Sequence, residues 1–182
     1  LGVGYRKQGL YQESVKAFEK LADLKADDAD SWRYLGIVYA EQKLYAKAAE
    51  AYEKAVVLNE TRVDVWKRLG DMYVHIGNWS GAEKAFERVV RVHQDDVGAR
   101  FELAKACYYL EKTACAIKQC EVLLSEYAFD HQLATLLLGE LYLKTGRLAD
   151  AQILIQAAYV RWPEDGRVKN LIANLQELEI RN

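Results

Sequence analysis

One spacing limits what this chain can fold into. Between Val63 and Asp96 the sequence reads VDVWKRLGDMYVHIGNWSGAEKAFERVVRVHQDD. Trp66, Leu69, Gly70 and Tyr73 share one face of a helical stretch, and Ala82, Phe86 and Val89 share one face of a second, with Gly77-Asn78 between them. The same set returns upstream as Trp32, Leu35, Gly36 and Tyr39, then Ala48, Tyr52 and Ala55. Downstream it returns as Gly139 and Tyr142, then Ala151, Ile155 and Ala158. The period is 34 residues and slips once to 35. Two helix-periodic stretches repeated at that interval describe stacked helix pairs, each burying its apolar face against its neighbours. Gly36 and Ala48 are small where two antiparallel helices must approach, and Tyr39 and Tyr52 fill the space around them.

The pattern W-x-x-L-G-x-x-Y…A-x-x-x-F resembles the tetratricopeptide repeat (TPR) over nearly the whole chain. The resemblance implies an all-α fold, a right-handed α-solenoid of tandem helix-turn-helix repeats with a C-terminal capping helix, and a role in binding other proteins. The expected divisions are 1–28, 29–62, 63–96, 97–131 and 132–165, with the capping helix over 166–182. Leu1, Gly2 and Tyr5 match Leu35, Gly36 and Tyr39, so the first repeat is expected to lack the opening of its first helix. The repeat from Val97 departs furthest, with Arg100 for tryptophan, Ala104 for glycine, Cys107 for tyrosine and Glu111 for the turn glycine; it is expected to be the softest. Lys43 replaces a turn glycine in the second repeat, at a cost of about 1 kcal/mol if the backbone is left-handed there. The one-residue slip is placed within Ala128 to His131. From Gly166, the stripe Val168, Leu171, Ile172, Leu175 and Leu178 is expected to cover the last repeat. Lys169, Asn170, Asn174, Glu177 and Arg181 form its other face.

Composition narrows function by exclusion. A formal charge of −2 argues against a general nucleic-acid or anionic-membrane binder. Nor does the sixth position of successive first helices (Tyr34, Arg68, Glu102, Leu137) make a base-reading ladder. No apolar run approaches the roughly 20 residues of a membrane helix. Cys107, Cys115 and Cys120 read as buried free thiols, pointing to a reducing, cytoplasmic setting. His75, His93 and His131 are scattered away from ligand spacing, so no metal or cofactor is expected. The acid pairs Asp27-Asp28, Asp95-Asp96 and Glu164-Asp165 recur at repeat boundaries, where they suit helix N-termini better than acid–base chemistry. No phosphate loop or base-flanked nucleophile is present, so the chain reads as no enzyme.

The resemblance further implies that first helices line a concave groove through their second, fifth, ninth and twelfth positions. Those positions are Asp30, Arg33, Ile37 and Ala40; Asp64, Lys67, Asp71 and Val74, with Arg68 alongside; Gly98, Phe101, Lys105 and Tyr108; and Leu133, Leu136, Glu140 and Leu143. The groove is expected to run from a mixed-charge half into an apolar half. Its partner-binding residues would be Arg33, Lys67, Arg68, Asp71, Phe101, Lys105, Tyr108, Leu133, Leu136, Glu140 and Leu143. Phe101, Tyr108, Leu133, Leu136 and Leu143 would form an exposed patch, and the cations would orient acidic groups of a ligand. The carboxylate clamp of co-chaperone members does not fit, because Ile37, Arg68, Gly98 and Glu102 replace its asparagines and cations. The leading expectation is a scaffold or adaptor holding a peptide or amphipathic helix. The alternatives are a self-assembling homo-oligomeric scaffold of a bacterial organelle, of the magnetosome-associated type, and a regulatory domain of a larger enzyme.

Overall fold

The structure is a computed structural model that describes residues 1–126 and 131–181. Among the described residues eleven helices follow one another: α1 (Gly2–Lys7), α2 (Tyr11–Leu24), α3 (Ala29–Glu41), α4 (Tyr45–Leu58), α5 (Val63–His75), α6 (Trp79–Val92), α7 (Val97–Tyr109), α8 (Thr113–Glu126), α9 (Gln132–Lys144), α10 (Leu148–Arg161) and α11 (Gly166–Arg181). Among the described residues there is no strand. No helix there is long and apolar enough to cross a membrane. The chain divides into two compact units, Leu1–Ala99 and Arg100–Asn182. Of the stretch Ala128 to His131 in which the slip is expected, residues 128–130 lie outside the described residues.

The turn inside each helix pair is built the same way five times. A left-handed residue closes the first helix: Gly9 (φ 74°), Lys43 (60°), Gly77 (72°), Glu111 (57°) and Gly146 (72°). The next residue's N–H then reaches back to a carbonyl of the last helical turn. Examples are Leu44 to Tyr39 and Asn78 to Tyr73, each 2.9 Å, a Schellman-type closure that satisfies carbonyls left over at a helix end. Lys43 and Glu111 therefore adopt the glycine-like state in spite of their side chains. The acids at repeat boundaries cap, as expected. The Asp28 and Asp96 carboxylates accept from the N–H groups of Ser31 (3.1 Å) and Ala99 (2.9 Å). His131 does the same through Nδ1, accepting from Ala134 N–H at 3.2 Å.

In the first unit the helices approach closely where glycine permits it. A Cβ on Gly36 would lie 2.6 Å from the Tyr52 ring, and one on Gly70 would lie 2.7 Å from Phe86. Both rings are fully buried, each contributing about 2–3 kcal/mol of apolar burial. Trp32 and Trp66 pack against the cores beside them while their indole N–H groups donate to the Ala26 and Glu60 carbonyls. Tyr39 and Tyr73 reach to the preceding helix pair, donating to Glu19 (3.0 Å) and Glu53 (2.6 Å).

In the second unit Tyr142 repeats that link, donating to Glu121 at 2.8 Å. Cys107 stands at the corresponding position of α7 and has no phenol to donate. Cys107 and Ala104, the residue in place of glycine, are both wholly buried. The sulfurs correct the free-thiol expectation: Cys107 and Cys115 are joined by a disulfide tying α7 to α8, and only Cys120 is a buried free thiol. The inference from cysteine usage to a reducing compartment falls with it. Arg100 is buried in the tryptophan position, with its Nη1 donating to the Gln119 side-chain Oε1 at 3.3 Å.

Candidate functional site

The first unit offers charge, almost all of it already spent. Arg33 sits on Asp30 at 2.8 Å with its guanidinium over the Tyr34 ring. Arg62 bridges Asp30 (3.2 Å) and Asp64 (2.9 Å), and Lys67 meets Asp96 at 2.6 Å. Arg33, with help from Arg62, holds the Asp30 carboxyl below the usual carboxylate range, and Arg62 does the same for Asp64. At Asp96 burial pushes upward, but Lys67 and the Ala99 N–H outweigh it and the pKa is lowered. Such partly exposed pairs contribute about 0–1 kcal/mol each. A ligand carboxylate would have to compete with Asp30 and Asp96 for Arg33 and Lys67, which corrects the expectation that these cations stand ready to orient an acid. Arg68 differs: it is exposed and, among the described residues, carries no ion pair. It lies beside the Tyr52 hydroxyl, which has no hydrogen-bond partner among the described residues and whose pKa burial pushes up to about 12. Asp71 is half-buried.

The second unit offers an apolar hollow. Helices α7, α9 and α11 flank an open hollow of about 590 Å³, lined by Leu133, Leu136 and Leu137 of α9 and by Lys105, Tyr108 and Tyr109 of α7. Their helical spacing at i, i+3 and i+4 puts them on one face. The Tyr108 hydroxyl donates to Glu140 at 2.5 Å, and that bond raises its pKa. Lys105 is held by Glu102 at 2.8 Å and lies over the Phe101 ring. Phe101 itself is half-buried against His131, with ring centroids 4.7 Å apart.

Of the expected groove residues, this hollow gathers Lys105, Tyr108, Leu133, Leu136 and Glu140, while Phe101 and Leu143 lie outside its lining. The even exposed patch is not found. Leu133 is 47% exposed but Leu136 only 8%, and Phe101, Tyr108 and Leu143 are half-buried. Leu136 is thus floor as well as wall. An aspartate there would bury an unpaired charge. The structure also adds Arg167, Asn170 and Asn174, which line the hollow from α11; the sequence pattern had put the two asparagines on the other face of the capping helix. Asn170 and Asn174 already stood at fifth and ninth positions counted from Gly166, so the register that located the other groove residues would have found them.

Models of the tetratricopeptide repeat match the chain over residues 1–62 and 130–166 and, separately, over residues 39–107. No curated protein sequence matches. Among solved structures it is similar to YrrB, described as a TPR protein with an unusual peptide-binding site. That likeness has a TM-score of 0.81 and 18% identity, covering 93% of this chain and 87% of that one. It is similar also to MamA. One MamA crystal structure gives a TM-score of 0.73 at 19% identity, covering 100% of this chain and 98% of the other. The AMB-1 form of MamA gives 0.77 at 22%, covering 91% and 90%. At these identities the likeness establishes the fold.

Proposed function

This chain belongs to the tetratricopeptide-repeat family, and we propose that it is a non-enzymatic interaction module holding a segment of a partner protein in the hollow between α7, α9 and α11. The observation that carries this reading is the composition of that hollow, four leucines and two tyrosines around about 590 Å³. Its charged groups are paired at the rim, so the centre is an apolar anchor site within a polar surround. The description of YrrB as peptide-binding supports a peptide as ligand in a fold of this kind.

The test is selection of linear twelve-residue peptides from a phage-displayed library on the whole protein, followed by affinity measurement on wild type and Leu133→Asp. Leu133 is 47% exposed, so the aspartate leaves the fold intact, and circular dichroism checks this. Binding should fall at least tenfold. Peptides that bind both proteins equally would remove the hollow from the function. Light scattering across a concentration series distinguishes a second copy of the chain as the occupant.

A further inference from the structure

Helix α10 is apolar on both sides. Its inner face, Ala151, Leu154, Ile155 and Ala158, is buried in its own stack. Its outer face carries Ile153 (72% exposed) and Val160 (75%), with Ala149, Gln152, Gln156 and Ala157 exposed around them. From Ala151 to Val160 there is no charged residue. Over the corresponding positions the second helix of every other pair carries charge; α6, for instance, presents Lys84, Glu87 and Arg91 to solvent. A helix that is hydrophobic all round is one that is covered all round, and an apolar stripe left on the surface marks an interaction site.

The order of residues along the stripe says what covers it. Ala149, Ile153, Gln156 and Val160 follow at intervals of four, three and four, the spacing at which two helices pack side by side. That order complements itself when reversed. About a two-fold axis midway between Leu154 and Ile155, Val160 of one copy meets Ala149 of the other, and Ile153 of one meets Gln156 of the other. A branched side chain thus faces a methyl group at each end, and at the centre it faces the flexible stem of a neutral amide. The flanking charges agree with this direction. Asp150 and Arg161 lie on the same flank of α10 near its opposite ends, so antiparallel pairing brings the Asp150 of each copy toward the Arg161 of the other. Parallel pairing sets like charges together. Asp150 also keeps Arg147 at 2.7 Å, so its part is to fix direction more than to add affinity.

We propose that the outer face of α10 is a two-fold interface between copies of this chain, with α10 packed antiparallel on α10. One pair of 14-residue helices buries less than about 1,200 Å², which places the dimer in the weak, reversible class. Helix α10 contributes nothing to the lining of the hollow between α7, α9 and α11, so pairing and ligand capture use different residues. A dimer carries two hollows and gains avidity for any partner that repeats the captured segment.

The experiment is sedimentation velocity on the whole protein from low micromolar to near-millimolar concentration. The sedimentation coefficient should rise with concentration toward the value of a dimer. Ile153→Asp and Val160→Asp stand at exposed positions, so circular dichroism and Tm should match wild type. Each strikes the interface twice and should weaken dimerisation about a hundredfold, tenfold for each copy. Leu133→Asp, in the hollow, should leave dimerisation unchanged. Register is read with Ala149→Cys and Val160→Cys, treated with a short bismaleimide against a wild-type background. The mixture of the two variants should cross-link, and neither should do so alone. Wild type that stays monomeric throughout, or that dimerises no better than Ile153→Asp, overturns the interface. A dimer lost in Leu133→Asp but kept in Ile153→Asp also overturns it and puts the second copy in the hollow. Ala149→Cys cross-linking to itself in preference to Val160→Cys overturns the antiparallel arrangement. Gln156→Arg repeats the measurement should either aspartate variant melt lower than wild type.

Discussion

Adding one methyl group at Gly70 probes the packing most directly. In the structure a Cβ there would stand 2.7 Å from Cζ of Phe86 and 2.9 Å from both Cε atoms, against a comfortable carbon–carbon separation of about 3.5–4.0 Å. Phe86 is wholly buried and cannot swing aside, so α5 and α6 must part by something near 1 Å. Overpacking of this kind costs about 1–3 kcal/mol, from which the better helix propensity of alanine recovers about 0.5–1 kcal/mol. Gly70→Ala should therefore lose about 1–2 kcal/mol, or roughly 2–8 °C in Tm for a chain of this size. Phe86→Leu removes the three ring atoms in conflict. In that background Gly70→Ala should change sign and stabilise by about 0.5–1 kcal/mol, giving a coupling energy near 2 kcal/mol. Gly98→Ala, where the nearest atom is 3.5 Å away, serves as the uncrowded control. Thermal and urea unfolding followed by circular dichroism at 222 nm read the wild type and all four variants. Equal effects of Gly70→Ala in the two backgrounds, or stabilisation in the presence of Phe86, would refute the close-approach argument.

Lys43→Gly and Glu111→Gly should each raise stability by about 1 kcal/mol, because both side chains stand on left-handed backbone; a lower Tm would deny that geometry. The disulfide should make the intact mass 2 Da lighter than that of the reduced chain, and by the chain-entropy argument its short loop contributes about 2.6 kcal/mol that thiol reductants remove. Cys120, its thiol pushed up to about 12 by burial, should stay silent to thiol reagents in the native state, and rapid labelling there would contradict its placement. Burial and the Glu19 and Glu121 carboxylates raise Tyr39 and Tyr142 to about 12, favouring the neutral phenol in the folded state. Their contribution to stability is then fully present below the unfolded value near 10 and is lost as pH climbs from about 10 to 12. Tyrosinate absorbance at 295 nm should show this late class together with a fall in Tm, whereas a single titration near 10 would count against it.

What the chain determined by itself is periodic and local. Helix pairs, their turns, their caps and the small-against-aromatic contacts follow from residues that recur at one interval, so Gly70 with Phe86, Asp28 and Asp96 at their caps and Gly77 in its turn could be read without coordinates. Each depends only on neighbours in the same pair or the next one. Tertiary structure decided what depends on which particular side chains meet. The pattern placed Cys107 inward but could not say that Cys115 would reach it, since bridging depends on how close two Cα atoms come. It placed Leu133 and Leu136 on the groove side alike, yet they are 47% and 8% exposed, because what covers each one depends on the helices packed around α9. It supplied Arg33 and Lys67 as groove cations without showing that Asp30 and Asp96 neutralise them. It read Asn170 and Asn174 as an outer face until the fold set α11 beside α7 and α9. Sequence periodicity specifies the orientation of a side chain about its own helix; exposure and partnership belong to the surfaces that packing brings together.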